Sequence, residues 1–429
     1  MIFLVALLAF YLAWNLGAND VANSMGTSVG SKAVTLRQAL VIAGILEFTG
    51  AVLFGRSVSE TLATGIANPT LFASTPQILL IGMVSVLIAC GLWLQIATSR
   101  GWPVSSSHAV VGAIAGFSAI HAGIGAVDWS SLGIISLAWV VTPVISGLIA
   151  ALFYSVVKRW ILDQPDPLFQ LREWIPWLSA TLLGVFGVIV LPTVTKPVQA
   201  FLSDNLGLTI PAHDIPIATF AIASVGLTLI SWRQLGDREQ RTENNPIQNP
   251  KSKIQNPIEQ QLGRFQVISA CFVAFAHGSN DVGNAIAPLA AIVYINRTGS
   301  VPLSGFSIPL WILVLGGVGI VAGLAVWGKK VIATIGEGII PLQPSSGFCA
   351  ELATATTILF ASRLGLPVST SHALVGAVVG IGLVKSWKSV RFQTLQSIGL
   401  AWLITIPISA TLGATIFLVI RLFLPAYSM

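Results

Sequence analysis

The words GANDVAN at 17–23 and GSNDVGN at 278–284 put carboxylates and amides inside long apolar runs. Asn19 and Asn23 stand four apart, and Asp20 and Asn23 three apart, so a helix places all three on one face. Asn280, Asp281 and Asn284 repeat that spacing. Carboxylate and amide oxygens are hard ligands, suited to Na+ or a proton. An Asp at the centre of a membrane helix costs about 2.5–3.5 kcal/mol. Such residues face cavities and mark ion paths. One Asp alone is explained equally well by helix packing; two, in repeated words, favour an ion site. Gly17 and Gly278 precede the words and permit a break in the helix there.

A second pair of words has different chemistry. PVSSSHAVVGAIAG at 103–116 matches PVSTSHALVGAVVG at 367–380. Pro103 and Pro367 suit a helix start. Ser105, Ser106 and Ser107, and likewise Ser369, Thr370 and Ser371, supply a cap and hydroxyl donors. With the free backbone N–H groups of a helix start, they make an anion site. Gly112, Gly116, Gly376 and Gly380 recur at four-residue steps and predict close helix packing. His108 and His372 follow the hydroxyls; a hydrogen-bonded structural role is favoured over a proton relay. His121 and His277 have no counterpart and receive no role. Glu47 and Glu351 are further carboxylates in apolar runs, and they do not align with each other.

The acidic and hydroxyl words recur in order, with 88 positions from Asp20 to His108 and 91 from Asp281 to His372. Together they argue for an oxyanion bound with a cation. Asp20 and Asp281 would repel the anion alone, and a cation resolves that conflict. Protonated phosphate helps as well, because its O–H can donate to a carboxylate.

These words need helices to carry them. The chain has 429 residues, 54% hydrophobic and 9% charged, against about a quarter charged in soluble domains. A bilayer-spanning helix takes roughly 20 apolar residues. The predicted spans are 2–17 (extended by a broken half-helix to about 30), 37–55, 77–98, 104–121 and 132–157. Two connecting spans, 174–193 and 213–232, follow. The second set is 265–295 (interrupted at 278–281), 308–328, 346–362, 367–384 and 394–424. The expected fold is therefore an all-α polytopic membrane protein with about 12 transmembrane helices, some broken or re-entrant. No strand-like alternation supports a β-barrel. Residues 1–16 read as a retained helix, since no Lys or Arg precedes Lys32.

The polar segment 233–263, rich in Asn, Gln and Pro, reads as a flexible loop. The expected divisions are a first repeat at 1–158, a connecting region at 159–263 and a second repeat at 264–429. The net charge of +6 sits mainly in short loops, which excludes nucleic-acid binding as its meaning. Those loops fall on one side if that side is cytoplasmic, which leaves both termini outside and the central loop cytoplasmic. Arg56 and Arg363 are isolated exceptions. Five spans, two connectors and five more insert the second repeat upside down, the inverted-repeat logic of secondary transporters. Cys90, Cys271 and Cys349 show no metal or disulfide spacing and read as inert thiols.

The doubled words resemble the inorganic phosphate transporter family of sodium- or proton-coupled phosphate carriers. The likeness covers GANDVANSMGTSVGS, GSNDVGNAIAPLAA, both PVS words, and ILEFTGAVLFG and GFCAELATATT with Glu47 and Glu351. It spans 1–158 and 264–429; 159–263 matches only by position. The resemblance implies a twelve-helix inverted-repeat fold with phosphate and cations between the repeats. It implies that Asp20, Asn23, Asp281 and Asn284 hold phosphate or Na+; the spacing of the words adds Asn19 and Asn280 as sodium candidates. Ser105 to Ser107 and Ser369 to Ser371 would donate to phosphate. It also implies a homodimer in the plasma membrane, the inner membrane of a bacterium. Some members carry sulfate and some use protons.

The expected function is cation-coupled phosphate symport by alternating access, with Na+ or H+ as coupling ion and no other cofactor. A sulfate permease and a passive anion channel are the alternatives. An intramembrane serine hydrolase needs an asymmetric nucleophile–base–orienter set. Here each word occurs twice and no G-x-S-x-G elbow is present, so no enzyme activity is expected.

Overall fold

Apolar runs of this length close their backbone hydrogen bonds within themselves, as helices, because lipid offers no partner. A computed structural model describes residues 1–206, 208, 211, 213–244, 256–335 and 340–423. The helices are α1 (Ile2–Gly30), α2 (Leu36–Phe54), α3 (Arg56–Thr64), α4 (Pro76–Ser99), α5 (Ser106–Ala122), α6 (Trp129–Val157), α7 (Pro167–Ile189) and α8 (Leu191–Val194). They continue with α9 (Lys196–Leu206), α10 (Asp214–Asn244), α11 (Pro257–Thr298), α12 (Leu310–Ile335), α13 (Pro344–Arg363), α14 (Thr370–Lys385) and α15 (Phe392–Phe423). Among the described residues no strand forms, only one isolated bridge between Ala67 and Val127.

The starts are set by side-chain caps. Thr35 makes a capping box with Gln38 ahead of α2, and Asp128 and Asp166 accept from the backbone of Ser131 and Phe169. Ser105 and Ser369 cap α5 and α14, each accepting from a histidine backbone N–H at 3.3 Å.

Among the described residues seven helices are long and apolar enough to cross a membrane: α1, α2, α4, α6, α10, α12 and α15. The bent pair formed by α7 and the segment after it, at 51°, brings the number to eight. By the same measure α5 and α14 are short, at 17 and 16 residues. Many large apolar side chains face outward, such as Leu403 on α15 and Val188 on α7, as a lipid-facing surface requires.

Helices from the two ends of the chain are exchanged in packing. α1 lies along α12 and α11 along α2; α5 lies along α15 and α14 along α6. The glycines make these approaches possible. A Cβ on Gly112 or Gly116 would strike Ile406 or Ala410 of α15. One on Gly376 or Gly380 would strike Pro143 or Gly147 of α6.

Two expectations are corrected. α1 and α11 run unbroken through both acidic words, without the predicted breaks at Gly17 and at 278–281. The glycines are used for contact: a Cβ on Gly17 would collide with the Ile320 carbonyl, and one on Gly278 with that of Glu47. Of the predicted loop 233–263, residues 233–244 continue α10 and 257–263 begin α11; 245–255 lie outside the described residues.

Gly17→Ala and Gly278→Ala should each destabilise the fold by about 1–3 kcal/mol, the usual cost of overpacking. Gly226→Ala, with open space around its added Cβ, should leave stability unchanged or slightly raised. Thermal unfolding in detergent checks this, and equal midpoints for all three variants would refute the packing role.

Candidate functional site

α1 and α11 bring their acidic words to a common centre. Asp20, His277 and Asp281 each offer a ligand atom within 4.8 Å of the others. Asp20 is 2% exposed, Asp281 1% and His277 0%. If both carboxylates are ionised, charges at the outer limit of that spread repel by roughly 3–4 kcal/mol at an effective dielectric of about 20. The pair of carboxylates therefore calls for a positive partner.

The hydroxyl words reach this centre crosswise. Thr370, at the start of α14, donates to Asp281 Oδ2 at 3.0 Å and accepts from Asn23 Nδ2 at 3.4 Å. Asn23 also donates to Asp20 Oδ1 at 3.2 Å. Asn284 donates to Ser106 and Ser107, both at 3.2 Å, at the start of α5. Ser107 in turn donates to the Val368 carbonyl at 3.0 Å, which ties the two words together. The acidic and hydroxyl words thus form one buried network.

Several oxygens in it have no donor among the described residues: Asp20 Oδ2, Asp281 Oδ1 and Asn284 Oδ1, and the same holds for Asn280 Oδ1 beside it. Buried acceptors of this kind are rare and point to a ligand.

Other predicted residues stand apart. Ser105 and Ser369 spend their hydroxyls as caps, and Ser369 also pairs with Ser371 at 2.9 Å. Asn19 donates to Thr98 at 2.9 Å, and Asn280 to Ser362 at 3.0 Å and the Leu366 carbonyl at 3.1 Å. These amides brace α1 and α11 against the ends of α4 and α13. Glu351 lies in a separate cluster. It accepts from Thr27 and Ser28 at 2.6 Å, Ser269 at 2.8 Å and Gln266 at 3.1 Å.

His277 is the residue that sequence reasoning passed over. Its Nδ1 lies 3.2 Å from Glu47 Oε1 and its Nε2 3.0 Å from Asp281 Oδ2, as ion-pair contacts rather than aligned hydrogen bonds. Ser24 donates to the same Glu47 oxygen at 2.8 Å. His277 therefore connects Glu47, on α2, to the centre. The matched words place Leu16 where His277 stands, and the glycine contacts place Ile320 opposite Gly17 where Glu47 stands opposite Gly278. The pair occurs on one side only; Glu351, on α13 in its own cluster, is not the counterpart of Glu47. A polar residue next to a repeated polar word was the available signal.

His108 and His372 pack behind the hydroxyls, ring centroids 4.8 Å apart, against Trp139 and Trp402. Their Nδ1 atoms lie 3.3 and 3.1 Å from the backbone carbonyls of Trp402 and Trp139. Among the cysteines, Cys90 and Cys349 are buried, Cys271 is half-buried, and all three are free thiols.

Residues 16–413 match the model of the phosphate transporter family. The chain is similar to the chloroplastic inorganic phosphate transporter 2-1 of Arabidopsis thaliana, 42% identical over 423 residues, 95% of this chain and 70% of the relative. A protein of Haemophilus influenzae is 39% identical over 421 residues, 98% of this chain and 97% of its own. A solved structure described as the sodium-dependent phosphate transporter superposes with a TM-score of 0.81 at 36% identity, covering 98% of this chain and 99% of that one.

Proposed function

Because the chain belongs to the phosphate transporter family, we propose that it carries inorganic phosphate across a membrane by symport with a cation, Na+ in preference to H+. The observation that carries this reading is the meeting of two buried carboxylates, each with one oxygen that no donor reaches among the described residues. One acceptor satisfies a proton, whereas a hard metal cation is held by several oxygens at once. The likeness to a sodium-dependent phosphate transporter supports the same choice.

In this reading Asp20, Asn23, Asp281 and Asn284 hold the cation, with Asn19 and Asn280 bracing the helices that present them. Bound cation offsets the carboxylates, and phosphate then docks between the starts of α5 and α14. Ser106, Ser107, Thr370 and Ser371 turn their hydroxyls to it beside the free N–H groups of both helix starts. The amides of Asn23 and Asn284, now spent on those hydroxyls, become available as further donors. The exchange of helices between the two ends of the chain supports inverted repeats that rock about this centre. Termini outside, the central loop cytoplasmic, a homodimer and a bacterial inner membrane complete the proposal.

Proteoliposome uptake of labelled phosphate, with Na+ and pH gradients imposed independently, tests it. Accumulation above equilibrium is expected with an inward Na+ gradient and little with a pH gradient alone. Uptake that never passes equilibrium would make the protein a passive channel. Displacement of phosphate by equimolar sulfate would reassign the substrate.

A further inference from the structure

The two hydroxyl words are held differently. Trp139 of α6 grips the second word at both ends. Its indole Nε1 donates to the Pro367 carbonyl at 2.9 Å, and its own carbonyl lies 3.1 Å from His372 Nδ1. Ser369, Thr370 and Ser371 lie between those anchors. Trp402 of α15 stands in the matching place for the first word. Its carbonyl makes a longer contact, 3.3 Å, with His108 Nδ1, and its Nε1 is buried without a partner among the described residues.

Proline spacing accounts for the difference at the carbonyls. Pro143 follows Trp139 by four residues. It has no N–H, so α6 cannot supply the usual i+4 donor to the Trp139 carbonyl. A buried carbonyl left without a donor is costly, and His372 supplies one from α14 as its Nδ1–H tautomer. In α15 the proline comes one residue later, at Pro407, and Ile406 keeps an N–H for the Trp402 carbonyl. Gly376 lets α14 press against the backbone of Pro143, which holds the two helices at this point.

We infer that Trp139 is a positioning residue for the anion site, holding Ser369–Ser371 in place from both ends, and that Pro143 sustains the grip by leaving the Trp139 carbonyl to His372. The inference rests on the reading of that word as phosphate-binding. It treats the two hydroxyl words as unequal: one gripped at both ends by a tryptophan of α6, the other held by its cap, by Asn284, by the Ser107–Val368 bond and by one longer contact to Trp402.

Equilibrium binding of labelled inorganic phosphate to purified protein in Na+, read beside thermal unfolding, tests it. Trp139→Phe removes one hydrogen bond and should weaken phosphate binding by roughly 3- to 10-fold. Trp402→Phe removes an indole N–H that has no partner among the described residues and should stay within about twofold of wild type. Pro143→Ala gives the Trp139 carbonyl an intrahelical donor that competes with His372. Affinity should fall by a similar factor while the unfolding midpoint holds or rises, since Ala is the better helix former. A merely structural role would make affinity and midpoint fall together. Equal shifts for the two tryptophan variants, or wild-type affinity in Pro143→Ala, overturn the inference. If Trp139→Phe does not fold, Pro143→Ala decides alone. Absence of phosphate binding by the wild-type protein would instead sink the functional reading, before any variant is compared.

Discussion

Asp20→Asn and Asp281→Asn are each expected to cut gradient-driven phosphate uptake by about 100-fold, the upper range for losing an interaction with a charged group. Asparagine keeps the shape of the side chain and removes its charge. At Asp281 one carboxylate oxygen faces His277 at 3.0 Å and accepts from Thr370; asparagine can still offer an oxygen there, but without the charge that His277 and a cation would meet. At Asp20 the change falls on the carboxylate oxygen that has no donor among the described residues. On the proposed function, the cation would then have one carboxylate where it had two, and phosphate would meet a site with weaker positive compensation. Labelled uptake under a Na+ gradient, normalised to folded protein in the vesicles, is the measurement. Wild-type rates in either variant would remove that carboxylate from the mechanism.

His277→Leu should destabilise the protein by about 3–5 kcal/mol, the cost of breaking a buried pair and leaving one charge behind. Glu47 is fully buried, and among the described residues its Oε1 has only Ser24 besides His277. Leu is the residue that the matched word carries at position 16. Adding Glu47→Ile recreates the apolar combination of Leu16 and Ile320, and most of the lost stability should return. Thermal unfolding of the wild type, both single variants and the double variant forms the cycle. Additive losses would mean that Glu47 and His277 do not act as a pair. Phosphate uptake should stay low in the double variant, because Asp281 has still lost the neighbour that fixes its oxygen.

The parts that could be read from the chain were those that violate the local rule. Asp20 and Asp281 stand out because carboxylates are expensive in apolar runs. The hydroxyl words stand out by repetition, and the structure joins the two kinds of word through Asn23–Thr370 and Asn284–Ser106. Pairings across the fold were out of reach: Glu47 and His277 are 230 positions apart, and nothing local to either marks the other. Gly17 and Gly278 were ambiguous for a physical reason, since a missing Cβ permits either a bend or a close neighbour. The chain took the neighbour. Composition misjudged residues 233–244 because RQLGDREQRTEN is polar yet mostly made of good helix formers, which extend α10 beyond its apolar stretch.

The helix exchange also imposes an order on biogenesis. Asn23 is bonded to Thr370, 347 positions downstream, and α1 packs along α12. At translation rates of about 5–20 residues per second, the polar face of α1 emerges roughly 17–70 s before that partner is made. Throughout that interval Asn23, and Asp20 beside it, must be sheltered by water or by the insertion machinery. The nascent first half is thus an assembly intermediate that waits for the last third of its own chain.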